Sequence, residues 1–118
     1  MDQRDFFQAV RKWDRTGSDE SAGEMMKLLV RMFRENRKVF IPVSIRKDEV
    51  YYRAVKYFGG YWVQVYLEEP DEEEVSMECG LNDFAYETAG EEGLEGLCVE
   101  AGGRVWMEWA LVRLLVVS

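Results

Sequence analysis

Seven carboxylates crowd one short segment: Glu68, Glu69, Asp71, Glu72, Glu73, Glu74 and Glu78. Acids at this density suggest a cage for a divalent cation, an acid/base pair, or a surface for a basic partner. A calcium loop of the EF-hand type needs D-x-[DN]-x-[DN]-G and a glutamate at its twelfth position, and this run has neither the spacing nor the glycine. Consecutive glutamates on an extended segment point to opposite sides, so they do not converge on one ion. A hydrolytic pair needs two acids facing each other across a cleft, usually from separate elements. The run therefore reads as a solvated loop that forms, at most, the acidic rim of a docking surface. No metal and no cofactor are expected.

Other chemistry is excluded by composition. The chain has no histidine, which removes Ser-His-Asp and Cys-His catalysis, the common zinc sites and a histidine pH switch. Cys79 and Cys98 lack C-x-x-C spacing and read as two reduced thiols. Gly90-Glu-Glu-Gly93-Leu-Glu-Gly96 has the G-x-x-G spacing of RNA-clamping loops, but Glu91, Glu92 and Glu95 would repel a phosphate backbone. Phosphate-binding glycine motifs and the G-x-S-x-G elbow are absent. No catalytic residue is assigned, and the expectation is a protein that is not an enzyme.

Charge is divided unevenly along the chain. Residues 1 to 56 carry 13 Lys+Arg against 9 Asp+Glu, whereas residues 57 to 118 carry 2 against 14, within a net charge of −8. An acidic field attracts basic partners and repels nucleic acid. The basic residues of the first half sit on helix faces at spacings that suit intrahelical ion pairs, not a nucleic-acid stripe.

These residues need a frame, and 118 residues at 47% hydrophobic suit one domain, residues 1–118, with one core. Residues 3 to 14 read as a helix with Phe6, Phe7, Val10 and Trp13 on one face. Ser21-Ala-Gly-Glu24 reads as a capping box before a second helix, whose stripe is Met25, Leu28, Leu29, Met32 and Phe33. From Val39 the period becomes alternating. "VFIPV" is a short strand, with its proline at an edge or an end. "EVYYRAVKYF" and "YWVQVYLE" form a hairpin about Gly59-Gly60, and "GLCVE" and "RVWME" a second about Gly102-Gly103. "LNDFAYETA" reads as a short helix, and "WALVRLLVV" as a closing one. The class is α+β: two N-terminal helices, an antiparallel sheet and a short C-terminal helix. The longest apolar run, Trp109 to Val117, is too short to span a membrane. The charged N-terminal residues resemble no leader peptide, so the expected location is the cytoplasm of a bacterial cell.

Placing both turn glycines at Gly59 and Gly60 pairs Tyr57 with Trp62, Val55 with Gln64, Arg53 with Tyr66 and Tyr51 with Glu68. One face then carries Val50, Tyr52, Ala54, Phe58, Tyr61, Val63, Val65 and Leu67, a core face. The other carries Tyr51, Arg53, Val55, Tyr57, Trp62, Gln64, Tyr66 and Glu68. Either a helix or the chain's own tail covers it, or it is a recognition face, since its Tyr, Trp and Arg are residue types enriched in binding hot spots. Tyr51, Arg53, Tyr57, Trp62 and Tyr66 are the candidate partner contacts, with Glu68, Glu69, Asp71, Glu72, Glu73 and Glu74 as the candidate acidic rim.

Val39-Phe-Ile-Pro-Val43, Val65-Tyr-Leu-Glu-Glu69, Gly96-Leu-Cys-Val-Glu-Ala-Gly-Gly103 and the Trp109 to Val117 segment resemble, in order, the short motifs of the SseB-like domains, the N-terminal domain of the enhanced serine sensitivity protein. The second lacks the family's Thr-Ser, and Glu100-Ala101 replaces its Asn-Pro in the third. The resemblance implies an α+β domain with no catalytic residue to carry over. The expected function is thus a non-enzymatic module for protein–protein contact. The alternative is an acidic inhibitor or immunity-type protein that neutralises a basic toxin or nuclease. The apolar ending "LLVVS" needs a cover, and a second copy of the chain is one.

Overall fold

Phe6, Ala9 and Val10 of the first helix and Met25, Leu29, Met32 and Phe33 of the second are all buried in one core. Their spacing dictates that, since residues three and four apart share a helix face. In the computed structural model, which describes the backbone of residues 3–71 and 75–117 and side chains from Phe6 onward, these helices are α1 (Gln3–Thr16) and α2 (Asp19–Arg34). Gly17, at φ 61°, reverses the chain between them. The cap of α2 lies one turn earlier than the sequence suggests. Ser18, not Ser21, is the N-cap, and its hydroxyl accepts from the Ser21 N–H at 3.2 Å. Ser21 is fully buried against Ser18 and Thr16. Glu24 reaches Lys12 of α1 instead, at 3.8 Å. Starting at Ser18 puts Asp19 and Glu20 in the first turn, where the helix dipole favours them.

Among the described residues seven strands follow: β1 (Lys38–Arg46), β2 (Glu49–Tyr52), β3 (Ala54–Tyr57), β4 (Gly60–Tyr66), β5 (Ser76–Gly80), β6 (Gly96–Glu100) and β7 (Arg104–Glu108), with α3 (Leu81–Thr88) between β5 and β6 and α4 (Trp109–Leu115) at the end. The class is α+β, but the sheet is mixed, not wholly antiparallel as expected. β4 and β6 run parallel, Trp62 opposite Gly96 and Tyr66 opposite Glu100, whereas the other pairs are antiparallel. The parallel pair follows from the excursion through β5 and α3, which returns the chain to the end of the sheet where β4 starts.

The long hairpin expected from "EVYYRAVKYF" is divided. β2 pairs only with the second half of β1, Tyr51 opposite Ser44, and β3 pairs with β4. The division falls at Arg53. Its N–H donates to the Pro42 carbonyl at 2.9 Å, while its own carbonyl accepts from the Gln64 N–H at 3.1 Å. Pro42 has no N–H to hold Arg53 in return, so the chain passes from β1 to β4 at this point. Pro42 thus lies inside β1, where β1 exchanges β5 for β2 as its partner. Lys47 and Asp48, both at positive φ, close the β1–β2 arm.

The β3–β4 turn differs by one residue from the expected one. Phe58 (φ 49°) and Gly59 (φ 75°) are its two residues, and Gly60 opens β4 opposite Tyr57. Val55 consequently pairs with Trp62, and Ala54 with Val63. The four expected cross-strand pairs do not form, although both faces keep their membership because the register moves by an even step. Val63, Val65 and Leu67 are buried as expected. Val50, Phe58 and Tyr61, also assigned to the core face, are exposed. Val50 lies on the β1–β2 arm, Phe58 lies in the turn, and Tyr61 is beside it. Tyr52 meets Phe84 of α3 edge to face at 5.3 Å.

The core lies between one sheet face and the helices. Val39 and Ile41, Val63 and Val65, Leu97 and Val99, and Val105 and Met107 join α1, α2, α3 and α4 in a single cluster. "LNDFAYETA" and "WALVRLLVV" form helices as expected. Among the described residues no helix is long and apolar enough to cross a membrane.

Candidate functional site

Strand alternation sends Trp62, Gln64 and Tyr66 of β4 to the face opposite the helices. Register places Gly96, Cys98 and Glu100 beside them, and Glu108, Trp106 and Arg104 beside those. β3 adds Val55 and Tyr57. Trp62 is 6% exposed and Cys98 is fully buried, yet neither belongs to the core cluster under the helices. The side chains of the open face bury them.

At the turn end of this face the aromatics form one cluster. Tyr57 stacks on Trp106 with centroids 3.9 Å apart and planes 9° from parallel. Trp62 meets Trp106 edge-on at 5.4 Å, and Phe58 meets Tyr57 at 4.5 Å. The Trp62 indole N–H donates to the Tyr57 carbonyl at 3.1 Å, which fixes the ring across the strand. Its ring lies over Gly96, where a Cβ would collide with the Met107 carbonyl and approach the Trp62 ring. Phe58 stands alone among these rings in being 92% exposed. A bulky residue in the left-handed region is uncommon and costs about 1–2 kcal/mol.

Together Tyr57, Phe58, Trp62 and Trp106 wall a cleft of about 400 Å³ whose remaining lining is Gly59, Glu95 and Glu108. The position of Glu95 is fixed by its backbone: its N–H donates to the Tyr61 carbonyl at 2.8 Å, and its carbonyl accepts from the Trp109 N–H at 3.2 Å. Its side chain crosses Gly60, where a Cβ would run into it. This accounts for the second glycine of the pair, which is a strand residue and not a turn residue. Glu108 ends β7 opposite Gly96. Two exposed carboxylates thus flank the aromatic wall, and no described cation pairs with either.

Midway along the face lies a polar patch. Gln64, 5% exposed, donates to Glu100 at 3.2 Å, and Arg104 holds the same carboxylate at 2.9 Å. The Arg104 guanidinium also sits over the Trp106 ring, 5.8 Å from its centroid. Burial, with Glu100 beside it, pushes the Cys98 thiol up to about 12. Cys98 is therefore a packed thiol and not a nucleophile.

The structure brings two of the five candidate contacts together, Tyr57 and Trp62, while Tyr66 shares their face at the far end of β4, beside Gln64 and opposite Glu100. Tyr57 and Tyr66 are half-buried, and Trp62 forms the floor. Tyr51 lies apart on the β1–β2 arm, its phenol donating to Glu49, and Arg53 occupies the fork between the hairpins. Glu68, Glu69 and Asp71 are exposed, but they follow the far end of β4, about 20 Å from the turn at ~3.3 Å per residue. There Glu69 lies near Lys38, whose ammonium is raised above its usual range, mainly by its 2.6 Å bond to Glu78. Glu72, Glu73 and Glu74 lie outside the described residues. The carboxylates beside the aromatics are Glu95 and Glu108, which sequence reasoning did not select, and it also missed Trp106 and placed Phe58 inside. Alternation in "RVWME" carried the signal for two of them, because Arg104, Trp106 and Glu108 alternate with the apolar Val105 and Met107.

Other hollows carry less chemistry. The groove between α1 and α2 is larger, about 540 Å³, but long lysine and arginine side chains line it, and Lys12 already meets Glu24. Among the described residues no three acidic or cysteine side chains are placed to share a metal ion. Comparison with known proteins found no matching family model, no matching curated protein and no matching solved structure.

Proposed function

We propose that this chain is a non-enzymatic, SseB-like interaction module that binds a protein partner through the helix-free face of its sheet. The observation that carries the reading is Phe58. An apolar ring held 92% exposed, at a left-handed backbone position better suited to Asn or Gly, keeps just an edge contact with Tyr57 among the described aromatic pairs. It extends an aromatic cluster of the residue types that dominate binding energetics. The order of the quoted motifs along β1, the end of β4, β6 and α4 supports the SseB-like reading. Two free thiols, Cys79 and Cys98, support a reducing compartment such as the cytoplasm.

The test is quantitative affinity capture from the native host with wild type, Phe58→Ser and Leu114→Ser. Leu114 is 84% exposed on α4 and serves as an apolar control on the helical side. A stoichiometric partner should be retained by wild type and Leu114→Ser and lost by Phe58→Ser at an unchanged melting temperature. A partner lost with Leu114→Ser and kept by Phe58→Ser would remove this face from the reading. The acidic second half of the chain favours the second reading, an inhibitor of a basic toxin or nuclease. That reading requires affinity to fall steeply with salt, and a salt-insensitive complex counts against it.

A further inference from the structure

We infer that the cleft between the β3–β4 turn and Trp106 takes an arginine side chain from a basic protein partner. This rests on the proposal above and names the chemistry of its contact. Four observations converge on a planar cation. The walls are aromatic, and the rings of Tyr57, Phe58 and Trp62 attract cations, whereas Trp106 is already covered by Tyr57 and Arg104. Glu95, just before β6, and Glu108, at the end of β7, enter exposed and without a cationic partner among the described residues. Both line the same cleft, so a cation seated there gains two carboxylate acceptors.

The third observation is a precedent within the chain. Further along β7 itself, Arg104 is held by this recipe, with its guanidinium over Trp106 at 5.8 Å and its Nε on Glu100 at 2.9 Å. The turn end adds the rings of Tyr57, Phe58 and Trp62 and the carboxylates of Glu95 and Glu108, with no cation paired to these acids among the described residues. The fourth is the missing Cβ of Gly60, which lets the Glu95 side chain lie across the strand toward the cleft. Arginine fits better than lysine because a flat, weakly hydrated guanidinium both stacks on rings and donates to two carboxylates at once. A volume of about 400 Å³ lies in the range of single-ligand sites.

The test uses the full chain and a soluble hexapeptide of glycine and serine bearing one arginine, with the same peptide bearing citrulline as the uncharged isostere. Indole N–H resonances of the four tryptophans are followed by two-dimensional NMR. The expected result is saturable movement of Trp62 and Trp106 with the arginine peptide and none at Trp13. The citrulline peptide should bind roughly tenfold more weakly or worse. Glu95→Gln with Glu108→Gln should weaken the arginine peptide by a similar factor while leaving the spectrum dispersed. Gly60→Ala, which displaces the Glu95 side chain, should weaken it in the same direction. Equal binding of the two peptides, indifference to the Glu95 and Glu108 substitutions, or no saturation at millimolar peptide would each overturn the inference. If the partner's capture still depends on Phe58 but not on Glu95 and Glu108, this inference falls and the interaction-module reading stands.

Discussion

Phe58 and Cys98 show how single residues on this face trade stability against other demands. Phe58 sits where a two-residue turn calls for Asn or Gly, at φ 49°. Replacing it with Asn removes the left-handed cost and loses only its edge contact with Tyr57. Phe58→Asn should therefore stabilise the domain by about 0.5–1 kcal/mol, raising the melting temperature by a few degrees, while partner binding weakens. A melting temperature that falls would mean the ring packs in the free protein, and the argument from its exposure would fail. Cys98 gives a prediction in pH. Its folded-state value of about 12 lies above the value of about 8.5 for an unfolded thiol, so the protonated form favours folding. That contribution is fully present below pH of about 8.5 and is lost as pH rises toward 12. In urea titrations the advantage of wild type over Cys98→Ala should shrink across that interval. A gap that stays constant to pH of about 11 would show that the thiolate is accommodated in the folded state.

At the scale of elements, the sequence made helices and faces legible but not boundaries and partners. The stripes of α1 and α2 could be read because 3.6-residue periodicity survives any detail of packing. The cap of α2 could not, since Ser18 and Ser21 both stand three residues before a plausible partner, and only the contact with Thr16 at the end of α1 decides between them. Ser18→Ala should accordingly cost about 1 kcal/mol in a denaturation experiment. Glu24→Ala should cost under about 0.5 kcal/mol, as suits an exposed ion pair. The reverse order would restore the Ser21–Glu24 capping box. In the β3–β4 hairpin the alternation fixed which residues share a face, so Tyr57 and Trp62 were found together and Tyr66 on the same face further along β4. The turn could not be placed between two adjacent glycines, because what selects Phe58–Gly59 is Glu95 lying over Gly60 from 35 residues away in sequence. The pairing of Arg53 with Tyr66 was misread for a related reason: its backbone N–H goes to the Pro42 carbonyl, on a strand whose length was itself underestimated.

Across the whole molecule, two acidic regions occupy opposite ends of β4 and differ in their surroundings. Glu68, Glu69 and Asp71 are exposed beyond Tyr66, where charge is screened within about 10 Å at 0.1 M salt. Glu95 and Glu108 stand against rings, in a cleft that a bound side chain would desolvate. Charges of the first kind steer a partner's approach, and charges of the second kind hold it once docked. With a purified partner, Glu68→Lys and Glu69→Lys together should slow association several-fold at about 0.1 M salt and hardly at all at about 1 M, leaving dissociation unchanged. Glu95→Gln and Glu108→Gln should instead speed dissociation, with little effect on association at high salt. Rapid-mixing kinetics on these two double variants separates the roles. Faster dissociation from the Glu68 and Glu69 variant would move the contact to the acidic end of β4, where the charge of the run, and not the aromatic cleft, would then carry recognition.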